Sequence, residues 1–343
     1  MNPFNAETAH GYLLRHAPLK LAFDPARDFE LWRKDVDTKL RELLGDTPPR
    51  VAPNVRIEFE KEHDDFIEKR FVFTAEEYDE GGQSIRSDVP CHLLLPKTGD
   101  GPFPVVITLQ GHSSGMHISL GRTVYEGDDA MFTGDRDFCI SAVKEGYAAI
   151  AMEQRAFGER KKDSEFASHG CHHPTMVSLL LGRTMIGERS WDVSRCIDAM
   201  EAFPELDLTR IGCMGNSGGG TITYFASCLD SRISAAMPSC YVCTFADSIG
   251  SLYHCADNYV PGIMNWFEMG DLVCLIAPRP IVVVAGKDDE IFPLPAVKKT
   301  FARISEIYAA AGAPENCRLV VGSEGHRFYA AQSWPVFRKL TNW

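Results

Sequence analysis

Residues 210–224 read RIGCMGNSGGGTITY, and the fold turns on how their glycines are understood. A short apolar run enters the segment GNSGGG, where four of six residues are glycine, and a helix-forming stretch follows. Glycines in that setting serve one of two ends. They let backbone amides cradle a phosphate, or they let a strand turn abruptly into a helix and project one side chain. The phosphate reading fails at the next residues. Gly215 to Gly220 has the G-x-x-x-x-G spacing, but a P-loop then needs lysine followed by Ser or Thr. Here stand Thr221 and Ile222. The dinucleotide pattern G-x-G-x-x-G fails as well, because the sixth residue counted from Gly218 is Thr223. The turn reading fits. Gly215-Asn216-Ser217-Gly218-Gly219 is G-x-S-x-G, with small residues two before and two after the serine. Small neighbours let the backbone fold tightly, and the hydroxyl then stands at a helix N-terminus, where positive potential favours a developing anion.

Working outward, FPVVITLQ (103–110), YAAIAME (147–153), ISAAMPS (233–239) and PIVVVAG (280–286) are further short apolar runs. Such runs mark strands buried on both faces. Helical stretches separate them: 136–146, 176–203 and 221–230, then 296–312 before a last strand CRLVVG (317–322) and a closing helix. Alternating strand and helix predicts a parallel sheet covered on both sides. Upstream, 55–63, 66–75 and 87–96 partly alternate apolar and polar residues, which predicts antiparallel strands at one edge. The chain therefore reads as α/β: a mostly parallel, doubly wound sheet with antiparallel N-terminal edge strands. Residues 25–45 predict one more helix, with Phe29, Leu31, Trp32, Val36, Leu40, Leu43 and Leu44 at helical spacing and Gly45 to end it. DTPPRVAP (46–53) breaks the chain with three prolines. The expected division is an N-terminal helical extension over 1–50 and one catalytic domain over 51–343.

Ligands of such sheets bind beyond the carboxyl ends of the strands. A serine nucleophile needs an imidazole base, and the imidazole needs a carboxylate to orient it. KDDEIFP (287–293) follows one strand and supplies Asp288 and Asp289; SEGHRFY (323–329) follows the last and supplies His326. Serine, acid and histidine thus occur in order at three strand ends. An oxyanion hole needs two backbone N–H groups. Gly218 supplies one, and GHSSG (111–115) supplies the other, with His112 the donor by position and Gly111 and Ser113 beside it.

With these residues in place the chain resembles the dienelactone hydrolase and acetyl xylan esterase-like branch of the α/β-hydrolase superfamily. The likeness rests on LQGHSSG, EQRAFGER, RSWDVSRCIDAMEAFPELDLTRIGCMGNSGGG, IAPRPIVVVAGKDDEIFP and SEGHRF, covering roughly residues 90–340. It implies the α/β-hydrolase fold and an acyl-enzyme mechanism without a cofactor or metal. In that branch the acid is usually the fourth residue of a GxxDxxxP run, which selects Asp289 over Asp288 in GKDDEIFP. The implied catalytic set is Ser217, Asp289 and His326. The implied substrate is a small-molecule ester with a short acyl group, such as acetyl on a carbohydrate or another small acylated molecule. Gln110 departs from the histidine many relatives carry there, and Gly218 from a larger residue; dienelactone hydrolases proper use cysteine where this chain has Ser217. Cleavage of another acyl bond (peptide, lactone or thioester) and a non-catalytic binding protein of the same fold are the alternatives.

Long insertions near 155–190 and 240–272 follow strand ends and are expected to shape the pocket. Arg155, Tyr241, Tyr259 and Trp266 are candidate pocket residues there, along with Gly111. Local salt bridges are the competing role for Arg155 and Arg160, and self-packing for the aromatics. Cys240 and Cys243 lack a second pair at zinc spacing and read as structural thiols, as does Cys213. The remaining totals exclude more than they assign. The 343 residues carry a net charge of −12, which disfavours a nucleic-acid partner. No stretch approaches the ~18 consecutive apolar residues of a membrane span. Eleven scattered cysteines with no secretory signal before them predict free thiols in a reducing cytoplasm. The N-terminal helix is expected either to cap the domain or to meet a neighbouring subunit in a homo-oligomer.

Overall fold

The computed structural model describes residues 4–161 and 170–343. Part of the first insertion, 162–169, therefore lies outside the described residues. The chain begins with two helices, α1 (Ala6–Arg15) and α2 (Phe29–Leu44). Three strands follow: β1 (Arg56–Glu62), β2 (Phe66–Glu80) and β3 (Gln83–Pro96). Then come β4 (Phe103–Leu109), α3 (Asp128–Phe132), α4 (Phe138–Lys144), β5 (Ala148–Met152), α5 (His172–Leu180) and α6 (Met185–Ala199). The rest is β6 (Leu206–Asn216), α7 (Gly218–Leu229), β7 (Ile233–Ser239), β8 (Ile281–Gly286), α8 (Leu294–Ala310), β9 (Cys317–Gly322) and α9 (Ala330–Thr341).

Among the described residues one sheet of nine strands runs in the order β1-β2-β3-β5-β4-β6-β7-β8-β9. The first three strands pair antiparallel, and β3 meets β5 antiparallel; from β5 through β9 every pairing is parallel. This is the mixed α/β architecture that the alternating apolar runs predict. Successive residues of a central strand feed opposite cores, because side chains alternate across a sheet. Val105, Ile107 and Leu109 of β4 face one core with α2, α6, α7 and α8, whereas Val106 faces the other with α4 and α9.

Helix α2 starts at the cap Asp28, whose side chain accepts from the Leu31 amide. It stops at Gly45, held at φ 89°. Its face of Trp32, Val36, Leu40 and Leu44 is buried in the main core, so α2 packs as part of the sheet domain rather than as an appendage. Helix α1 buries nothing. The helix expected over 176–203 is broken. Gly182 turns left-handed at φ 72° to end α5, and Thr184 caps α6 by accepting from the Gly187 amide. Arg183 between them forms an isolated bridge to Gly45. The apolar spacing runs on through this break, so periodicity alone does not show it. Among the described residues no helix is long and apolar enough to cross a membrane.

Burial predicts how α1 and α2 differ energetically. Leu40→Ala should destabilise the protein by about 2–5 kcal/mol, since it opens a cavity in the main core. Leu13→Ala on exposed α1 should stay within about 0.5 kcal/mol. Denaturant unfolding of both variants checks the contrast.

Candidate active site

The turn after β6 is built by close backbone approach. Ser217 adopts φ 59° and ψ −124°, a conformation costly for a residue with a side chain. Its amide donates to the Ser239 carbonyl at 2.9 Å, and its own carbonyl accepts from Thr221 at 2.9 Å. The chain is thus held on both sides of the strained residue. A Cβ at Gly219 would lie 1.9 Å from the Leu109 carbonyl oxygen. Only glycine lets α7 pass this close to the end of β4. A Cβ at Gly218 would instead meet the edge of the His112 imidazole at 3.3 Å, a side chain that can give way. Ser217 is half-buried, while its neighbours in the turn are buried.

Strands β4, β6, β7, β8 and β9 end at one edge of the sheet, with Leu109 level with Gly215, Asn216 with Ser239, and Gly286 with Gly322. Ser217, Asp289 and His326 all follow directly from strands ending there. Asp289 is buried and Asp288, one residue earlier, is exposed. The Asp289 carboxylate accepts from the amides of Ile291 and Phe292 at 2.9 and 3.0 Å. Its other oxygen lies 2.9 Å from His326 Nδ1. Burial opposes ionisation of Asp289, but the hydrogen bond and charge of His326, with the two amides, outweigh it and hold the carboxyl below its usual range. An ionised carboxylate only accepts, so Nδ1 carries the hydrogen and Nε2 keeps its lone pair. Phe292 stacks on the imidazole at 5.8 Å, and Arg136 donates to the His326 carbonyl at 3.1 Å, fixing ring and loop together.

The loop after β4 closes over the turn. A Cβ at Gly111 would touch Ser217 Cβ at 2.9 Å and the Gly218 amide nitrogen at 3.3 Å, so this loop and the start of α7 lie against each other. Gln110 works from behind, donating to Ser119 Oγ and to the Arg136 carbonyl. The His112 ring has a partner that the sequence reading did not find. Its Nε2 lies 3.1 Å from Asp257 Oδ2, which also accepts from Arg189 at 2.7 Å. Burial opposes ionisation of Asp257, yet Arg189 and His112 hold its carboxyl down at about 2. Arg189 in turn lies 4.1 Å from the centre of the Phe157 ring, and His112 meets that ring edge-on.

Residues 11–321 match the family model described as "Abhydrolase family". The chain belongs to the Abhydrolase family. A protein of Bacillus subtilis (strain 168) named "Putative hydrolase YtaP" is 28% identical to it over 314 residues, 89% of this chain and 97% of that one. Among solved structures, a "putative acetyl xylan esterase" from Bacteroides fragilis NCTC 9343 superposes with TM-score 0.75 and 17% identity, covering 93% of this chain and 82% of that one. A CE15 glucuronoyl esterase from Teredinibacter turnerae T7901 gives 0.68 and 16%, over 98% and 90%. At these identities the two structures establish the shared α/β-hydrolase fold.

In this member of the Abhydrolase family, His112 lines a cavity of about 530 Å³ whose wall comes from both insertions: Phe157, Cys171 and His172 from the first, Tyr253 and Cys255 from the second. The other candidate pocket residues lie elsewhere. Arg155 is committed to a largely buried network, paired with Glu76, with Asp192 at 2.8 Å and with Glu188 at 3.4 Å. Arg160 shares Asp192 at 2.7 Å. Trp266 sits beneath the ammonium groups of Lys20 and Lys39, against the N-terminal segment. Tyr259 is half-exposed beside a separate small hollow with Leu14 and Phe245. Tyr241 is fully buried beneath the turn, close to Gly220 and edge-on to Phe292. His254, also edge-on to Phe292, is pushed down to about 4 by burial and then by His326 and His112, so it is a neutral wall.

The expectation that all eleven cysteines are free is corrected. Cys171 and Cys255 form a disulfide between the two insertions, and the other nine are free and buried. The pair is 84 residues apart in sequence, a separation that no local pattern betrays. Cys240 donates to the Arg327 carbonyl at 3.2 Å, and burial, then the Asp289 charge, pushes its thiol up to about 12. It anchors the His326 loop as an unreactive thiol.

The packing of the turn yields a contrast between adjacent glycines. Gly219→Ala should cost about 3 kcal/mol or more in denaturant unfolding, because its Cβ meets rigid backbone. Gly218→Ala should cost less than about 1 kcal/mol, because only the His112 ring must shift.

Proposed function

We propose that the protein is a serine hydrolase of carboxylic esters, working through an acyl-enzyme and acting on short acyl groups of a carbohydrate or similar small molecule. The observation that carries this reading is the Asp289–His326 contact on the sheet edge where Ser217 is projected from its strained turn. His326 Nε2, left with its lone pair, takes the proton of Ser217 Oγ as the oxygen attacks the ester carbonyl. The carbonyl oxygen becomes an anion, and the amides of Gly218 and His112 receive it. The imidazolium is stabilised by Asp289. It returns its proton to the departing alcohol, leaving Ser217 acylated. Water then enters, gives a proton to His326 and releases the acid. Family membership supports the hydrolase class, and the similarly folded carbohydrate esterases support a sugar ester. The cavity beside His112 supports a small group rather than a long lipid chain, and its exposed Tyr253 offers an aromatic face to a sugar ring.

A fluorophosphonate probe should label wild-type protein at Ser217 and leave Ser217→Ala unlabelled. Failure of the wild type both to label and to cleave any aryl acetate would sink the reading. Asp289→Asn should lower kcat by about 10³–10⁴-fold, by analogy with the orienting acid of other triads, whereas Asp288→Asn should change it little. The pH profile follows from the two groups. Protonated His326 cannot accept from Ser217, so kcat/KM should fall as pH is lowered. Asp289 is held ionised below the usual carboxylate value of about 4, so it adds no second acid limb above that pH. Acyl-length panels with matched alcohols check the short-acyl preference.

A further inference from the structure

Four side chains are not used in the mechanism above: His112, Cys171 and Cys255 on the cavity wall, and Asp257, buried against His112. Their ligand atoms all lie within 4.8 Å of one another. They come from three separate segments, the loop after β4 and the two insertions. Two sulfurs, one imidazole nitrogen and one carboxylate oxygen make the mixed soft and hard set that Zn²⁺ takes in four-coordinate sites. Zinc bonds of about 2.3 Å to sulfur and about 2.0 Å to nitrogen or oxygen place tetrahedral neighbours about 3.3–3.8 Å apart. His112 Nε2 lies 3.1 Å from Asp257 Oδ2 and 3.6 Å from Cys171 Sγ, close to such edges. A supporting layer is also present. Asp257 is buried and accepts from Arg189 at 2.7 Å and from Asn258 Nδ2 at 3.2 Å, which fix the carboxylate plane. The cavity of about 530 Å³ gives an ion its way in.

We propose that these four residues form a zinc site that opens when the Cys171–Cys255 disulfide is reduced. A dithiol reductant, such as a thioredoxin-like protein or dithiothreitol, supplies two electrons and two protons. The S–S bond breaks, each sulfur becomes a thiol, and the reductant leaves as its own disulfide. Zn²⁺ then displaces both thiol protons and binds two thiolates, His112 Nε2 and an Asp257 oxygen. In a reducing compartment such as the cytoplasm, the thiol form is the resident one.

The exchange has a consequence beside Ser217. In the oxidised protein Nε2 faces the Asp257 carboxylate, an acceptor, and so carries hydrogen; the neutral ring then has a bare Nδ1. With zinc on Nε2 the hydrogen moves to Nδ1. That atom is the one nearest the position of a Gly218 Cβ, at 3.3 Å. Metal loading thus turns an acceptor into a donor next to the helix start that follows Ser217.

The test reads metal directly and does not depend on esterase activity, so it stands or falls apart from the serine mechanism, which fluorophosphonate labelling reports. Full-length protein is stripped with chelator, split into reduced and oxidised samples with thiols counted, and titrated with Zn²⁺ and with Co²⁺. Reduced protein should bind about one ion per chain, and its Co²⁺ form should show thiolate-to-metal charge transfer. The oxidised sample should bind at least about tenfold more weakly, as should reduced Asp257→Asn. Cys171→Ser/Cys255→Ser should lose the charge-transfer bands. Equal binding by oxidised and reduced wild type, or a Co²⁺ spectrum without thiolate bands in the reduced protein, would overturn the proposal. The redox comparison is made on wild-type protein, so it stands whether or not the variants fold.

Discussion

The contact on which the carboxyl edge of the sheet depends is that of Gly219 with the carbonyl of Leu109. Strand β6 must become helix α7 at a single residue, in the middle of the sheet, with β4 alongside. That is feasible only if the helix passes within bare-backbone distance of β4. The same approach brings the loop after β4 against Ser217 and Gly218. A strained φ at Ser217 then persists because its amide and carbonyl are both bonded into the surrounding structure. The strain, the loop contact and the half-buried position of Ser217 are three results of one steric condition.

The second condition is electrostatic. Burying a carboxylate is costly unless donors replace its water. Asp289 has three, two of them amides of its own turn, so its ionised state is supplied locally before His326 arrives. The imidazole is then oriented by a charge already present, and its tautomer follows without further choice. Asp192 obeys the same rule in a different setting. It is buried between Arg155 and Arg160, and the three groups are satisfied by one another. One buried carboxylate leaves an imidazole lone pair free for chemistry; the other leaves nothing over. This is why Arg155, which reads as a pocket residue from its place after a strand, turns away from the cavity.

What could be read from the string was what short-range rules control. Doubly buried strands appear as apolar runs, the abrupt turn as glycines flanking Ser217, and the chain order of serine, acid and histidine as residues past strand ends. Asp288 and Asp289 were separable only through the family pattern, because adjacent loop residues differ in direction, which composition does not record. Other features depend on contacts across long separations. Arg189 and Asp257 lie 68 residues apart, and the disulfide spans 84. Trp266 looked like a pocket aromatic because its loop follows β7. Lys20 and Lys39, far upstream, instead gather it beneath the N-terminal segment. The break between α5 and α6 was hidden for the opposite reason, as the apolar spacing continues across Gly182.

His112 is where these two kinds of constraint meet. Its backbone belongs to the loop that Gly219 allows to approach the turn, while its ring belongs to a polar cluster drawn from both insertions. The insertions share no strand with the turn, yet they reach it through this imidazole, through Tyr241 beside Gly220, and through Asn258, which accepts from Thr221 at 3.0 Å. Cys171 of the disulfide and Asp257 both border the ring at Nε2, and the ring lies against Gly218. Had a larger side chain stood at 218, it would have come between the imidazole and the turn. The absence of a Cβ at Gly218 is not needed to form the elbow, since Gly219 meets that demand. Its effect is to leave the His112 ring in direct reach of the residue beside Ser217.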